Sequence, residues 1–228
     1  MKHTKNLNFW IVAVFLTGYA FIASCTHDNE ILVGTGPNIV RGTEKVSLTN
    51  SAVSFDKSHS NVGWETAYLG STAILTGRFN TFGFTSFNFD EPNAEGISFE
   101  AWVQINSVNT GEPGRDQGCL QTTYGTTTTM TTETANLAIL KSKSVELSKT
   151  DKGYVIKCDF TFHGVTKEVT GILQFMGKTQ TGSGTTAKNV YGFSFEFQFL
   201  AKTDYAITSN SIADNVGIKC NAIFRQAL

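Results

Sequence analysis

The strongest constraint on the fold of this chain is an alternation of apolar and polar residues with a period of two. The alternation is clearest from Tyr191 to Phe199, where every second residue is aromatic and the residues between them are Gly, Ser, Glu and Gln. Successive side chains of a strand point to opposite faces, whereas a helix would scatter these aromatic residues around its circumference. The segment is therefore predicted to be a β-strand with one buried face and one exposed face.

The same pattern recurs along most of the chain after residue 53. Strands are predicted at residues 62–68, 74–82, 87–89, 97–105, 137–147, 154–163, 169–175, 191–199 and 216–224. Turn-forming residues separate these segments, and no long amphipathic helix is predicted between them. At least eight antiparallel strands without helices indicate an all-β fold, either a sandwich or a closed barrel.

The longest connection between predicted strands covers residues 109–133. Its start is predicted to form a short helix, in which Arg115 and Asp116 either pair with each other or meet the headgroup of a ligand. The threonine-rich run at residues 122–132 is predicted to be a solvated loop. An additional edge strand is the alternative, because threonine favours β-structure.

The N-terminus has the features of a secretory signal peptide. Lys2 and Lys5 precede an apolar stretch at residues 9–22, and a membrane-spanning helix is the competing interpretation, although the stretch is marginal for the ~20 apolar residues of a span. The following Ile22-Ala23-Ser24-Cys25 resembles the lipobox of bacterial lipoproteins, which implies cleavage before Cys25 and a diacylglyceryl group on its thiol. We therefore predict a lipoprotein signal peptide at residues 1–24 and a membrane anchor at Cys25.

The residues after the predicted cleavage site are polar and rich in turn-forming residues. They show no sustained period of two or 3.6, so residues 25–52 are predicted to be a lipidated, flexible tether and residues 53–228 a single β-domain. The domain region has three cysteines, Cys119, Cys158 and Cys220. Cys158 and Cys220 lie on apolar faces of predicted strands, where they are expected to be buried thiols, with a disulfide between them as the alternative.

The composition and the histidine positions argue against several classes of function. With 18 Lys and Arg residues against 19 Asp and Glu residues, the net charge of −1 gives no basis for binding nucleic acid. Of the four histidines, His59 and His163 alone fall in the predicted domain, without the spacing of a metal site. No G-x-S-x-G motif is present. We therefore expect no enzymatic activity, no metal and no cofactor.

Several short motifs occur along the predicted domain, in the order His59–Trp64, Leu69–Gly70, Gly77–Phe82, Phe89–Asp90, Val108–Gly111, Arg115–Asp116, Gly153–Tyr154 and Phe162–Lys167. In this order they resemble the YceI-like, polyisoprenoid-binding family. The resemblance implies an exported bacterial protein with an extended antiparallel eight-stranded lipocalin-like β-barrel and one long loop or short helix. It also implies that the interior of the barrel holds a long isoprenoid chain.

The expected function is that of a lipid-anchored carrier in the cell envelope, on the periplasmic or outer-membrane face. It would store, transport or protect an isoprenoid or another long-chain lipid, and a homodimer is one possible state. The residues expected to contact the ligand are Trp64, Phe99, Val103, Phe160, Phe162, Phe193, Phe195 and Phe197. The alternative is a structural or adhesive surface lipoprotein, in which the barrel core is solid and the threonine-rich loop makes the contacts.

Overall fold

The alternating segments pair into one antiparallel sheet. The computed structural model describes residues 46–70, 73–91, 93–117, 136–148 and 153–228. The strands in these residues are β1 (Ser47–Leu48), β2 (Ser54–Phe55), β3 (Asn61–Tyr68), β4 (Ala73–Phe79), β5 (Phe82–Asp90), β6 (Ser98–Gln104), β7 (Val108–Asn109), β8 (Leu137–Leu147), β9 (Tyr154–Phe162), β10 (Val165–Thr181), β11 (Lys188–Leu200) and β12 (Ile212–Ala227). A three-residue helix, α1 (Pro113–Arg115), lies in the connection between β7 and β8.

The sheet curls into a half-barrel. Its strand order is β1-β5-β6-β8-β9-β10-β11-β12-β3-β4-β7, and β2 pairs with β12. The predicted all-β, antiparallel, lipocalin-like fold is confirmed, although the described residues form twelve strands instead of eight. Three of these twelve are two-residue strands, which are too short for an alternating pattern to reveal.

The predicted single strand at residues 74–82 is divided into two. Strand β4 ends at Phe79 and β5 begins at Phe82, so Asn80 and Thr81 form a corner between them. Although the two strands are consecutive in the chain, they are not neighbours in the order of the sheet. A second irregularity is the bulge between Phe84 and Ser86. There the spacing of the inward-facing phenylalanines changes from two residues to three, since Phe82 and Phe84 are followed by Phe87 and Phe89. These irregularities bend the sheet at the point where it remains open.

The hairpin between β9 and β10 forms at the turn predicted from the sequence. His163 and Gly164 have φ values of 52° and 73°, so both central residues adopt the left-handed conformation. A two-residue turn of this kind matches the right-handed twist of the adjoining strands. The ring of His163 lies 4.4 Å from the ring of Phe162, which holds the turn against the barrel.

One part of the interior is filled by aromatic rings, and we call it the packed region. It consists of Phe87, Phe89, Tyr154, Phe175, Phe193 and Phe224. The rings of Phe87 and Phe224 are stacked with centroids 4.0 Å apart, and Phe89 meets Phe193 edge to face at 4.8 Å. The hydroxyl of Tyr154 donates a hydrogen bond of 2.7 Å to the buried carboxylate of Glu91. The side chains of the packed region therefore pack against one another without a ligand between them.

The folded domain begins earlier than the sequence predicts. Val46 and Leu48 are buried, and β1 pairs with β5 through Leu48 and Phe89. Residues 46–52 are therefore part of the barrel, and the predicted tether cannot extend to residue 52. The predicted signal peptide, Cys25 and the threonine-rich run at residues 122–132 lie outside the described residues. In the portion that is described, no helix has both the length and the apolar character needed to cross a membrane.

Candidate ligand-binding cavity

An apolar cavity lies beside the packed region. It is lined by Phe55, Asn61, Val62, Trp64, Phe79, Phe82, Gly83, Phe84, Ala101, Trp102, Val103, Ala138, Leu140, Phe160, Phe162, Phe197, Phe199, Val216, Ile218, Cys220, Asn221 and Ala222. The two asparagines among these, Asn61 and Asn221, are exposed on the outer face of β3 and β12, where their amides lie 3.4 Å apart. The surface of the cavity is therefore almost entirely apolar.

The volume of the cavity is about 90 Å³. A single water molecule needs roughly 10–15 Å³, so this part of the barrel is not filled by its own side chains. A cavity of roughly 150 Å³ is known to hold a benzene molecule. A chain of more than a few carbons can therefore enter only if some of the lining side chains change rotamer.

Two tryptophans in the lining lie over glycines on neighbouring strands. Trp64 on β3 is 4% exposed, and a Cβ atom placed on Gly77 of β4 would lie 2.5 Å from its indole ring. Trp102 on β6 covers Gly83 of β5 in the same way, at 2.9 Å. A larger residue at either position would push the indole away. Glycine at residue 77 thus fixes the orientation of the Trp64 ring.

Strand β2 places a phenylalanine at the open side of the half-barrel. The ring of Phe55 lies 5.0 Å from that of Phe84 and 6.0 Å from that of Phe82. It also lies 5.5 Å from Phe224 in the packed region. Phe55 and Phe84 are half-buried, so they are among the least constrained rings that border the cavity.

A charged cluster holds the segment that follows β2. The carboxylate of Asp56 accepts hydrogen bonds from Nε of Arg225 at 2.5 Å and from Nδ1 of His59 at 2.8 Å. Burial alone would raise the pKa of Asp56, but the hydrogen bonds from Arg225 and His59 outweigh this effect and lower it. The cluster joins residues 56–59 to β12 and so keeps Phe55 beside the cavity. His59 thus helps to anchor the start of β3.

Five of the eight residues expected to contact a ligand line the cavity, and three do not. Trp64, Val103, Phe160, Phe162 and Phe197 are in the lining. Phe193 instead belongs to the packed region, and Phe99 and Phe195 pack against each other at 5.5 Å. The alternation assigns all eight to a buried face, but it carries no information about how far along the barrel each ring lies. On β11, the cavity begins only after Phe195.

Several lining residues are not among those predicted from the sequence. They are Phe55, Phe79, Phe82, Phe84, Trp102, Leu140, Phe199, Val216, Ile218 and Cys220. The shift in spacing between Phe79 and Phe82 is a detectable sign of the corner that brings β4 and β5 to the cavity. Trp102 has no such signal, because the alternation in β6 places it on the face opposite to Val103.

The two cysteines on buried strand faces are free thiols. Cys158 is fully buried, whereas Cys220 is half-buried and lines the cavity. Burial, together with a nearby carboxylate, raises the pKa of each thiol to about 12. Both thiols are therefore protonated at neutral pH and behave as small apolar side chains.

Arg115 and Asp116 act together on the loop that follows β7. The Asp116 carboxylate accepts hydrogen bonds from the backbone nitrogen and the hydroxyl of Thr110, at 2.7 and 2.6 Å. Arg115 donates to the hydroxyl and the carbonyl oxygen of the same threonine, each at 2.9 Å. The two side chains order the loop through Thr110. Within the described ranges, no group of three or more His, Cys, Asp or Glu side chains could hold a metal ion.

A curled antiparallel sheet with an internal apolar cavity defines a lipocalin-like barrel protein. The family model of the YceI-like domain matches residues 54–224. The chain therefore belongs to the YceI-like family, and the family predicted from the sequence motifs is confirmed.

Two curated relatives are similar over about half of this chain. The UPF0312 protein plu2095 of Photorhabdus laumondii is 29% identical over 129 residues, which are 57% of this chain and 62% of the relative. The UPF0312 protein VVA0736 of Vibrio vulnificus is 28% identical over 122 residues, which are 54% of this chain and 60% of the relative. The matched segments thus span less than two thirds of the length of these relatives.

Solved structures of two proteins have the same fold. BcnA of Burkholderia cenocepacia superposes with a TM-score of 0.56 at 16% identity, covering 75% of this chain and 99% of BcnA. The YCEI protein of Campylobacter jejuni superposes with a TM-score of 0.54 at 18% identity, covering 68% of this chain and 87% of that protein. At these identities the similarity concerns the fold alone.

Proposed function

We propose that this protein is a carrier that holds the hydrocarbon chain of an isoprenoid or another long-chain lipid inside its barrel. The observation that carries the proposal is the cavity, which has an almost entirely apolar surface and a volume of about 90 Å³. The family resemblance favours an isoprenoid among the slender hydrophobic ligands. Storage, transport and protection of that lipid are the roles consistent with a binding protein that performs no chemistry.

Burial of the chain supplies the binding energy in this proposal. Each CH₂ group removed from water contributes about 0.8 kcal/mol, and no polar constellation is required along the chain. The aromatic and aliphatic side chains of the lining provide a surface of this kind.

The direct test is extraction of lipid from the purified full chain with organic solvent, followed by mass spectrometry. A cavity-filling variant, Ala138→Leu, is compared with Ala67→Leu, which adds the same volume on the outer face of β3. We expect about one equivalent of lipid per chain in the wild type and in A67L, and its loss in A138L. Equal lipid content in all three proteins, or none, would refute the carrier proposal. The second result would favour the structural or adhesive lipoprotein.

We also propose that the carrier is exported and anchored to a membrane of the cell envelope. The support is the sequence alone, namely the apolar stretch at residues 9–22 and the lipobox-like Ile22-Ala23-Ser24-Cys25. A diacylglyceryl group on Cys25 would keep the barrel close to the membrane from which it takes its ligand. A single acyl chain binds a membrane only marginally, whereas two chains give stable anchoring. The two acyl chains of the diacylglyceryl group are therefore sufficient.

The anchor is tested by metabolic labelling with a radioactive fatty acid. The wild-type chain should incorporate the label and remain in the membrane fraction, whereas Cys25→Ala should lose both properties. Ser24→Ala, which keeps a small residue before the cysteine, is the matched control and should be labelled normally. Labelling of the Cys25→Ala chain would contradict the proposed lipidation site.

A further inference from the structure

The cavity ends at a wall of three phenylalanine rings. Phe160 and Phe162 come from the end of β9, and Phe199 comes from the end of β11. The ring of Phe199 lies 5.0 Å from that of Phe160 and 5.6 Å from that of Phe162. Because all three also line the cavity, they form a boundary between it and the end of the barrel.

Tyr205 lies directly behind this wall. It belongs to the connection between β11 and β12, is 3% exposed, and does not itself line the cavity. Its ring lies 5.7 Å from Phe160, 5.5 Å from Phe162 and 5.5 Å from Phe199, with edge-to-face geometry in each case. Its hydroxyl donates a hydrogen bond of 3.1 Å to the backbone carbonyl of Phe160. The ring therefore occupies the space into which the three phenylalanines would otherwise retreat.

The connection that carries Tyr205 is held firmly at its base. The carboxylate of Asp214 accepts hydrogen bonds from the backbone nitrogens of Lys202 and Thr203, at 2.7 and 3.0 Å, and from the Thr203 hydroxyl. After Tyr205, the backbone nitrogens of Ala206 and Ile207 donate to the carbonyl oxygens of Lys202 and Ala201, each at 3.1 Å. The backbone is thus hydrogen-bonded on both sides of Tyr205, which holds its ring behind the wall.

We propose that Tyr205 is a positioning residue that sets the maximum length of the hydrocarbon chain, because it holds the Phe160–Phe162–Phe199 wall in place. This inference rests on the proposed carrier function. The inward-facing lining residues of β12 run from Ala222 to Val216, and Val216 pairs with Phe199 of the wall. A chain that lies along this stretch, six residues of strand or about 20 Å, therefore ends at the wall. A longer chain would have to leave its remaining carbons in water or displace the wall.

Removal of the Tyr205 ring should lengthen the chain that the protein accepts. Tyr205→Ala leaves space behind the wall, so Phe162 and Phe199 can change rotamer and extend the cavity toward the end of the barrel. Tyr205→Phe removes only the hydroxyl and keeps the ring that supports the wall. Any effect of the hydroxyl on stability is therefore separated from the effect of the ring on chain length.

The test is a competition among prenols of increasing length. The full chain, reconstituted in phosphatidylcholine nanodiscs, is incubated with equal amounts of geraniol, farnesol and geranylgeraniol, and the prenols retained above those in empty nanodiscs are quantified by mass spectrometry. We expect Tyr205→Ala to shift the preferred prenol upward by at least one isoprene unit relative to the wild type. Tyr205→Phe should keep the wild-type preference. Phe175→Leu, a change in the packed region, should lower thermal stability without altering the preference.

Each outcome of this competition decides the inference. An unchanged order of preference in a folded Tyr205→Ala protein would overturn it while leaving the carrier function intact. Failure of the wild type to retain any prenol would overturn both together. If Tyr205→Ala does not fold, Phe199→Leu, which shortens the wall itself, replaces it. The inference then requires the same upward shift in the Phe199→Leu protein and is refuted if the shift does not occur.

Discussion

The packed region and the cavity are built from the same kind of residue and yet differ in what their rings contact. In the packed region, Phe87 stacks on Phe224 with centroids 4.0 Å apart, and Phe89 is fully buried. Around the cavity, rings such as Phe82 contact other side chains on one side and an unfilled space on the other. A phenylalanine ladder therefore does not by itself indicate either a solid core or a binding site. Its position along the barrel decides between the two.

The two regions differ in which strands, and which parts of strands, supply their rings. The packed region draws on β10, whose Phe175 lies 5.3 Å from Phe193 on the paired strand β11, whereas no residue of β10 lines the cavity. Strand β5 contributes to both regions. Its Phe82 and Phe84 border the cavity, and its Phe87 and Phe89 contact Phe224 and Phe193 in the packed region. The division along β5 thus falls at the bulge between Phe84 and Ser86.

Truncation of a phenylalanine should lower the free energy of unfolding by very different amounts in the two regions, and this is the largest difference that we expect. Phe89→Ala removes a ring that is packed on every side, and it is expected to lower the free energy of unfolding by about 3–5 kcal/mol. Phe82→Ala removes a ring that already borders a cavity, so the cost should be nearer the transfer energy alone, about 1.5–3 kcal/mol. Urea denaturation measures both. Equal losses for the two variants would show that the regions are packed alike.

Two glycines that lie under aromatic rings allow a second comparison. A Cβ atom on Gly171 would clash with the ring of Phe195 and lie 2.7 Å from the backbone carbonyl of Glu196, which cannot move aside. Gly171→Ala should therefore cost about 1–3 kcal/mol of stability. For Gly77→Ala, the three atoms nearest to the new Cβ all belong to the indole of Trp64. The indole can tilt into the cavity, so the cost in stability should be smaller and prenol retention should fall. A greater loss of stability in G77A than in G171A would contradict this expectation.

Two tyrosines allow a comparison of hydrogen bonds in the packed region and behind the end wall of the cavity. Tyr154→Phe removes a 2.7 Å bond to the buried carboxylate of Glu91, and should cost about 1.5–3 kcal/mol. Tyr205→Phe removes a 3.1 Å bond to a neutral carbonyl oxygen, and should cost about 0.5–1.5 kcal/mol. Thermal unfolding of the two variants under identical conditions ranks them. The reverse ranking would show that the Tyr154–Glu91 pair contributes little to the packed region.

The two free thiols should differ in how their alkylation responds to a ligand. Because burial raises the pKa of both Cys158 and Cys220 to about 12, each thiol is protonated at pH 8, and its alkylation should accelerate about tenfold per pH unit until the pH approaches that value. Added farnesol should slow the labelling of Cys220, which lines the cavity, and leave that of Cys158 unchanged. Peptide mass spectrometry after iodoacetamide treatment measures the two rates separately. Rapid labelling of Cys158 at pH 8 would contradict its burial.

The sequence predicts which faces of the strands are buried, and it does so because alternation reports directly on the pleat of a strand. Strand β11 is the clearest case, since Tyr191, Phe193, Phe195, Phe197 and Phe199 are all buried as expected. The division of these residues between a packed region and a cavity depends on contacts with strands distant in sequence. No local pattern carries that information, which is why Phe193 and Phe195 were expected to contact a ligand.

Short strands and irregular positions also cannot be predicted from the periodicity of the sequence. Strand β1 has only two residues, so Val46 and Leu48 give too brief a pattern to distinguish from the tether expected there. The corner at Asn80 and Thr81 is different, because the spacing of the phenylalanines on either side of it does change. That change predicts an interruption, but it does not reveal that the two strands separate and leave an opening beside a cavity.

The central claim is that a hydrocarbon chain is held in the cavity and excluded from the packed region. The most direct measurement is photolabelling of the full chain with a prenol that carries a diazirine at its terminal isoprene unit, followed by peptide mass spectrometry. The account predicts adducts on lining residues near the end wall, Phe160, Phe197 and Ile218, and their loss in the Ala138→Leu protein. Adducts on Phe89 and Phe175, or adducts that persist unchanged in Ala138→Leu, would contradict it.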